Sequence, residues 1–291
     1  MTTDNKEKIF ETFAKEYNSE TSIRKYITKT AGYGINYLLQ HEYSELYLNV
    51  LNAYLLSLRN KPLRILEFGC GAGMNLIRIL SILEERRIPV ESAYGTDFSE
   101  PLIQSARREA KSFLSKGFNG KVRFHVARNE MLSSELAAEE GIPRESLLKS
   151  FDLIVGVNTF RYCHRLGKED ASARDIFSLL RNGGVCIIID MNRRFPLFRS
   201  RLRGDVKDEA ESYLPSLDEY AVPFAAAGFE ILRMDNFCWI PHSAGPSMTY
   251  CCRLLTPFLN LVARRYAMRS VVISRKPEPE IHTTRLKKCD R

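Results

Sequence analysis

No apolar run in this chain of 291 residues approaches the ~20 needed to cross a bilayer. The first residues, MTTDNKEKIFETF, contain no apolar core of a signal peptide. Secretion and membrane spanning are therefore not expected, and the chain reads as cytoplasmic. Cysteine occurs at Cys70, Cys163, Cys186, Cys238, Cys251, Cys252 and Cys289. No two of these form a CxxC pair, which excludes a zinc ribbon and a thioredoxin-like site, and no metal is expected. Several lie inside apolar segments, where a free cysteine behaves as a small hydrophobe. Tryptophan occurs once, as Trp239. There is no internal repeat, and low complexity is confined to the C-terminal tail, so solenoids and fibrous classes are excluded.

What is present is ordinary for a globular protein: 44% hydrophobic and 27% charged residues. Whole-chain disorder is ruled out by the same balance. At this length a folded chain hides about three quarters of its unfolded surface, so a core without covalent staples is expected. The charge is lopsided, with 43 Lys+Arg against 35 Asp+Glu and a net charge of +8. Such a surplus fits nucleic acid, an anionic surface, an anionic substrate or no ligand at all. Its placement along the chain is what discriminates.

Short apolar or β-branched runs occur at Leu63–Phe68, Ser92–Thr96, Val122–Val126, Phe151–Val157, Val185–Met191, Phe229–Met234 and Ser270–Ser274. Between them, Met74–Arg87, Glu100–Lys116, Ser172–Leu180 and Leu217–Ala227 are helical in pattern. Ser99 is placed to cap the second of these, and Pro101 sits in its first turn. Strands alternating with helices predict an α/β fold: a doubly wound, seven-stranded, mostly parallel sheet spanning residues 61–275. Residues 1–60 predict an N-terminal helical cap, with helices at Lys6–Lys15, Thr21–Thr30 and Glu42–Leu58 and tyrosine-rich joints. Residues 276–291, rich in proline and charge, predict a disordered tail.

The most informative segment is Leu63–Gly73, LRILEFGCGAG. A strand runs into Gly69, Gly71 and Gly73, and a helix follows. Such a loop lets the backbone turn sharply and presents free helix N–H groups to a ligand. It suits a nucleotide-like molecule at the carboxyl end of the first strand. A dinucleotide fingerprint would be GxGxxG. Here the spacing is GxGxG, Met74 stands where the last glycine would be, and Glu67 precedes the loop. The second strand ends at Asp97, whose carboxylate suits two ribose hydroxyls. An acid there also suits NAD.

Together ILEFGCGAG, GTDFS, FDLIVGVNTF and LLRNGGVCIIID resemble the class I S-adenosylmethionine-dependent methyltransferase family, over roughly residues 60–275. The resemblance implies a Rossmann-like methyltransferase fold with S-adenosyl-L-methionine as cofactor. It implies that Glu67, Gly69, Gly71 and Gly73 surround the methionine part, that Asp97 holds the ribose, and that Phe98 packs on the adenine. Asn129 would meet the adenine amine, with Arg128 standing where the family often has aspartate. Val157 and Asn158 would line the sulfonium end. The [DNS]PP[YFW] tetrapeptide is missing after the fourth strand, where VNTFR stands. This weighs against methylation of a base nitrogen or a glutamine amide.

Methyl transfer from a sulfonium is an in-line displacement in which alignment supplies much of the rate, so no obligatory catalytic set is expected. Where the acceptor must lose a proton, Tyr162, His164 and His242 are the candidate bases. Each reads equally as a structural or surface residue. The basic surplus collects in two inserts, at about 192–215 and 240–268. The first, Arg193–Lys207, holds six basic residues and one acid; Pro246–Arg269 holds Arg253, Arg264, Arg265 and Arg269 and no acid. Apolar residues are interleaved in both, and Pro257 is tolerable in the second only in a first helical turn. In the family's topology both inserts fall above the cofactor. They predict a small-molecule or lipid-like, anionic acceptor, with oxygen ahead of nitrogen or carbon as acceptor atom. They also allow peripheral contact with an anionic membrane. Nucleic acid is not expected, because no RNA-binding module or aromatic platform accompanies the charge. Two alternatives stand beside this reading: a nicotinamide-dependent oxidoreductase and a non-catalytic binding module that keeps the fold.

Overall fold

The computed structural model describes residues 41–55, 61–196, 214–241 and 244–278. The helices expected at Lys6–Lys15 and Thr21–Thr30, most of the first basic insert, His242 and the far end of the tail lie outside the described residues.

In chain order the elements are α1 (His41–Val50, continued by a π-turn at Leu51–Leu55), β1 (Leu63–Phe68), α2 (Met74–Glu85), β2 (Val90–Asp97), α3 (Glu100–Phe113), β3 (Val122–Val126), α4 (Leu132–Glu140), β4 (Phe151–Val157), α5 (Phe160–Leu166), α6 (Glu169–Leu179), β5 (Leu180–Met191), α7 (Leu217–Ala226), β6 (Glu230–Phe237), α8 (Pro246–Val262) and β7 (Arg269–Arg275). The sheet order is β3-β2-β1-β4-β5-β7-β6. β7 runs antiparallel to both β5 and β6, and the other pairings are parallel. This is the doubly wound, seven-stranded sheet expected from the alternation of elements.

The central strands are buried on both faces, as a parallel sheet covered by helices requires. Along β5, Val185, Ile187 and Ile189 join the core beneath α1–α3, while Cys186 and Ile188 join the core beneath α4–α7. β1, β3 and β4 have the expected bounds. β5 begins earlier than its apolar run, because Leu180 already pairs with Phe151 before a register shift. α4 and α5 carry no periodic signal in the sequence: both are short, and α5 stops at Gly167 in the left-handed region.

Two local expectations are corrected. Pro257 lies inside α8, and Pro246 takes the first turn instead. Proline removes one helical N–H, but the surrounding positions are exposed, so water meets the freed carbonyl. Lys276, read with the tail, is docked: its Nζ donates to the carbonyls of Phe177 (2.7 Å) and Leu180 (2.8 Å). The six cysteines among the described residues are free. Among the described residues no helix is long and apolar enough to cross a membrane.

Candidate active site

The sheet order reverses between β1 and β4, which leaves a crevice outside their carboxyl ends. The loop after β1 turns through Gly69 at φ 59°, Gly71 at φ 53° and Gly73 at φ 78°. Gly69 is needed for space as well as conformation. A Cβ there would lie 2.0 Å from Thr159 Oγ1, at the end of the β4 loop. At Gly73 a Cβ would meet the Phe124 ring at 2.9 Å.

Two buried carboxylates flank this loop. Asp97 takes N–H donors on both oxygens, from Gly71 and Ser99, each at 2.9 Å. Burial pushes its carboxyl up to about 6, against these backbone bonds. Glu67 accepts from Asn75 Nδ2 at 3.1 Å and from the Leu76 N–H at 2.9 Å, at the start of α2. Burial pushes it up to about 8, with Asp97 acting in the same direction. Each carboxylate oxygen has more than one acceptor site, so backbone bonds leave capacity for ligand hydroxyls or an ammonium. Ser99 is the N-cap of α3, but its side chain makes no capping bond; Asp97 meets the Ser99 N–H instead. Phe98 follows at the rim, partly exposed.

Asn129 donates to Thr159 Oγ1 at 2.6 Å, tying the β3 loop to the β4 loop. Arg128, where the family often has an acid, is bound through Nε and Nη2 to Glu135 of α4, at 2.8 and 2.6 Å. Its charge is therefore satisfied on α4.

Beyond β4 the crevice changes character. Asn158 is held at φ 56°, and its Oδ1 accepts from Arg269 Nη1. Arg269 opens β7. Because β7 is antiparallel, its start lies at the carboxyl edge of its neighbours, opposite Met191 and Phe237. Arg269 is 0% exposed and lies against the Tyr43 phenol of α1. Beside it the fully buried Asp190 accepts from the Arg161 backbone at 3.0 Å and from Arg161 Nη1 at 2.7 Å. Arg161 also donates to Tyr162 Oη at 3.0 Å. α1 crosses this edge: Tyr43 packs edge-on to Phe237, and Tyr47 reaches Asn75.

Of the candidate bases, Tyr162 stands in this cluster. His164 is packed edge-on against Phe160 and Tyr220, with Nδ1 3.9 Å from Glu169, and burial lowers its pKa. Those neighbours belong to the core beneath α4–α7. Sequence reasoning passed over Tyr43, Asn75, Thr159, Arg161 and Asp190, and it grouped Arg269 with the basic insert above the cofactor. Asp190 did carry a signal, as an acid ending the apolar run VCIIID. Arg269 was placed at that edge with its insert, but nothing in the sequence signalled its burial.

The family model for a methyltransferase domain matches residues 59–236. The chain belongs to that family. Residues 59–236 are thus a methyltransferase domain, as the resemblance to the S-adenosylmethionine-dependent family implies, and this stands ahead of the nicotinamide alternative. The citrinin polyketide synthase of Monascus ruber is 28% identical over 136 residues, 47% of this chain and 4% of that one. The non-reducing polyketide synthase atr1 of Stereocaulon alpinum is 27% identical over 173 residues, 58% of this chain and 6% of that one. The chain thus spans only a small part of these relatives. Among solved structures the DszA carbon methyltransferase has a TM-score of 0.52 at 19% identity, covering 80% of this chain and 52% of that one. The [4+2]-cyclase SpnF has a TM-score of 0.50 at 17% identity, covering 81% of each. These likenesses concern the fold.

Proposed function

We propose that this methyltransferase modifies a small molecule that reacts as an oxyanion or its enolate carbon, such as a phenol or an enolisable carbonyl compound. S-adenosylmethionine supplies a methyl group on a sulfonium, a good leaving group. The buried carboxylates fit such a cofactor: Asp97 suits the ribose hydroxyls, and Glu67 suits the cationic methionine end. Phe98 at the rim and the Asn129 amide are assigned to the adenine, and Asn158 to the sulfonium end.

The observation that carries the acceptor class is the buried Arg269 guanidinium, beside the Arg161–Asp190 pair, Tyr43 and Tyr162. Positive charge in a low-dielectric pocket favours an acceptor that becomes anionic as it reacts. Similarity to polyketide synthases supports a small carbonyl or phenolic compound. Oxygen stands first as acceptor atom, with the adjacent carbon next. Incubation with methyl-labelled cofactor and a panel of a phenol, a 1,3-dicarbonyl compound and an amine tests this. Label is expected in the first two classes, and NMR separates O-methyl from C-methyl products. Arg269→Met is expected to lose activity while keeping affinity for S-adenosylhomocysteine, with Arg269→Lys in part retaining activity. Transfer to the amine alone would overturn the acceptor class.

A second reading concerns a lipid surface. α8 buries none of its residues, and Leu254, Leu255, Phe258, Leu261 and Val262 form an exposed apolar stripe, with Leu261 85% exposed. Arg253 and Arg265 flank it on a stretch without acids, although Arg253 lies 3.9 Å from Glu42 and Arg264 is paired with Asp235. This face suits peripheral contact with anionic lipid. Co-sedimentation with phosphatidylserine vesicles is expected, with loss in Phe258→Asp/Leu261→Asp. Equal sedimentation of the double variant would sink the reading.

A further inference from the structure

Glu67 is held by a chain of groups that begins outside the matched methyltransferase residues. Tyr47 belongs to α1, ahead of residue 59. Its ring is buried, and its hydroxyl donates to Asn75 Oδ1 at 3.0 Å. Asn75 Nδ2 in turn donates to Glu67 Oε1, and the Leu76 N–H donates to Glu67 Oε2. The same helix is pinned to α2 by Arg78 Nε donating to Ser44 Oγ at 3.0 Å.

A primary amide has an acceptor end and a donor end, and its orientation follows from what surrounds it. A phenol is a better donor than acceptor. With Tyr47 donating to the amide oxygen, the NH2 must face Glu67. Both Glu67 oxygens then accept, which is the arrangement an ionised carboxylate requires. The turned amide would set oxygen against oxygen, and only a protonated Glu67 satisfies that contact. The other groups facing Glu67 do not favour its charge. Asp97 of β2 repels it, and the buried Cys70 thiol and Tyr47 phenol are both pushed up and neutral.

We propose that Tyr47 is a positioning residue for the cofactor site: it orients the Asn75 amide so that Glu67 meets the cationic end of the cofactor as a carboxylate. This rests on the assignment of Glu67 to the methionine part. It makes the N-terminal cap a determinant of cofactor affinity without any contact between Tyr47 and the cofactor.

The experiment is calorimetric titration of the full chain with S-adenosylmethionine from pH 6 to 9.5. In the unaltered protein affinity is expected to rise with pH as Glu67 loses its proton, and to level off above about 8, its raised value. Tyr47→Phe keeps the ring and frees the amide to turn. Its midpoint is expected to move upward by about one pH unit, which weakens binding about tenfold at neutral pH and restores it at high pH. In a Glu67→Gln background the pH dependence above about 7, where Asp97 is already ionised, should disappear, and Tyr47→Phe should no longer change it. Weakening by the same factor at every pH would mean that Tyr47 only packs, and the proposal would fall. An unchanged midpoint would also overturn it. Failure of the unaltered protein to bind at any pH would instead count against the cofactor assignment.

Discussion

Gly69→Ala is expected to abolish measurable cofactor binding and to lower stability by several kcal/mol. Two costs act together. Gly69 has φ 59°, where a side chain costs about 1–2 kcal/mol. The added Cβ would also lie 2.0 Å from Thr159 Oγ1 and 2.5 Å from Thr159 Cβ. A rotamer change cannot relieve contact with a Cβ, so backbone must shift, at a further cost of about 1–3 kcal/mol. That shift displaces the loop between Glu67 and Asp97 and loosens the Asn129–Thr159 bond. Calorimetric titration with S-adenosylhomocysteine and a denaturant melt read the two effects. Thr159→Gly in the same chain removes the overlap and leaves the φ cost, so partial recovery is expected. Wild-type affinity in Gly69→Ala would mean that the loop does not approach β4 in this way.

Asp190→Ala is expected to destabilise the protein by about 3–5 kcal/mol, the scale of breaking a buried ion pair from one side. Asp190 is fully buried and accepts three bonds, from the Arg161 backbone, Arg161 Nη1 and the Met191 N–H. Its loss strands the Arg161 guanidinium, which is itself buried, and loosens the first turn of α5. Replacing the pair together, as Asp190→Leu with Arg161→Met, removes the stranded charge and should recover most of the stability. Activity is not expected to return, because Arg161 also holds Tyr162 beside the proposed acceptor. Equilibrium unfolding of the two variants measures the difference. A cost below about 1 kcal/mol for Asp190→Ala would show that water reaches the pair and screens it.

The two expectations differ in what the sequence disclosed. The glycine loop was legible because its chemistry is local. Glycines at fixed spacing after an apolar run, followed by a helix, specify a turn wherever they occur, and Glu67 and Asp97 were placed by the strands that end at them. The Arg161–Asp190 pair was not legible, since its partners are 29 residues apart and meet through the β4–β5 pairing. The same limit explains the misreading of positive charge. Arg269 belongs by sequence to the basic insert above the cofactor, yet its side chain is buried against Asn158 and Tyr43. Arg264, counted beside it, is paired with Asp235. A charge count along the chain does not register partners supplied by other strands.

The sequence by itself determined the sheet, the alternation of helices over it, and the glycine loop with its two acids. These follow from periodicity and turn chemistry over a few neighbouring residues. Only the tertiary structure decided which side chains are buried and paired at the carboxyl edge of the sheet. α1 crosses that edge, Tyr47 reaches through Asn75 to Glu67, and the antiparallel β7 delivers Arg269 to the carboxyl ends of its neighbours. The physical reason is distance along the chain. Burial and strand order bring together groups 28 to 111 residues apart, and each of those meetings depends on the whole sheet having formed.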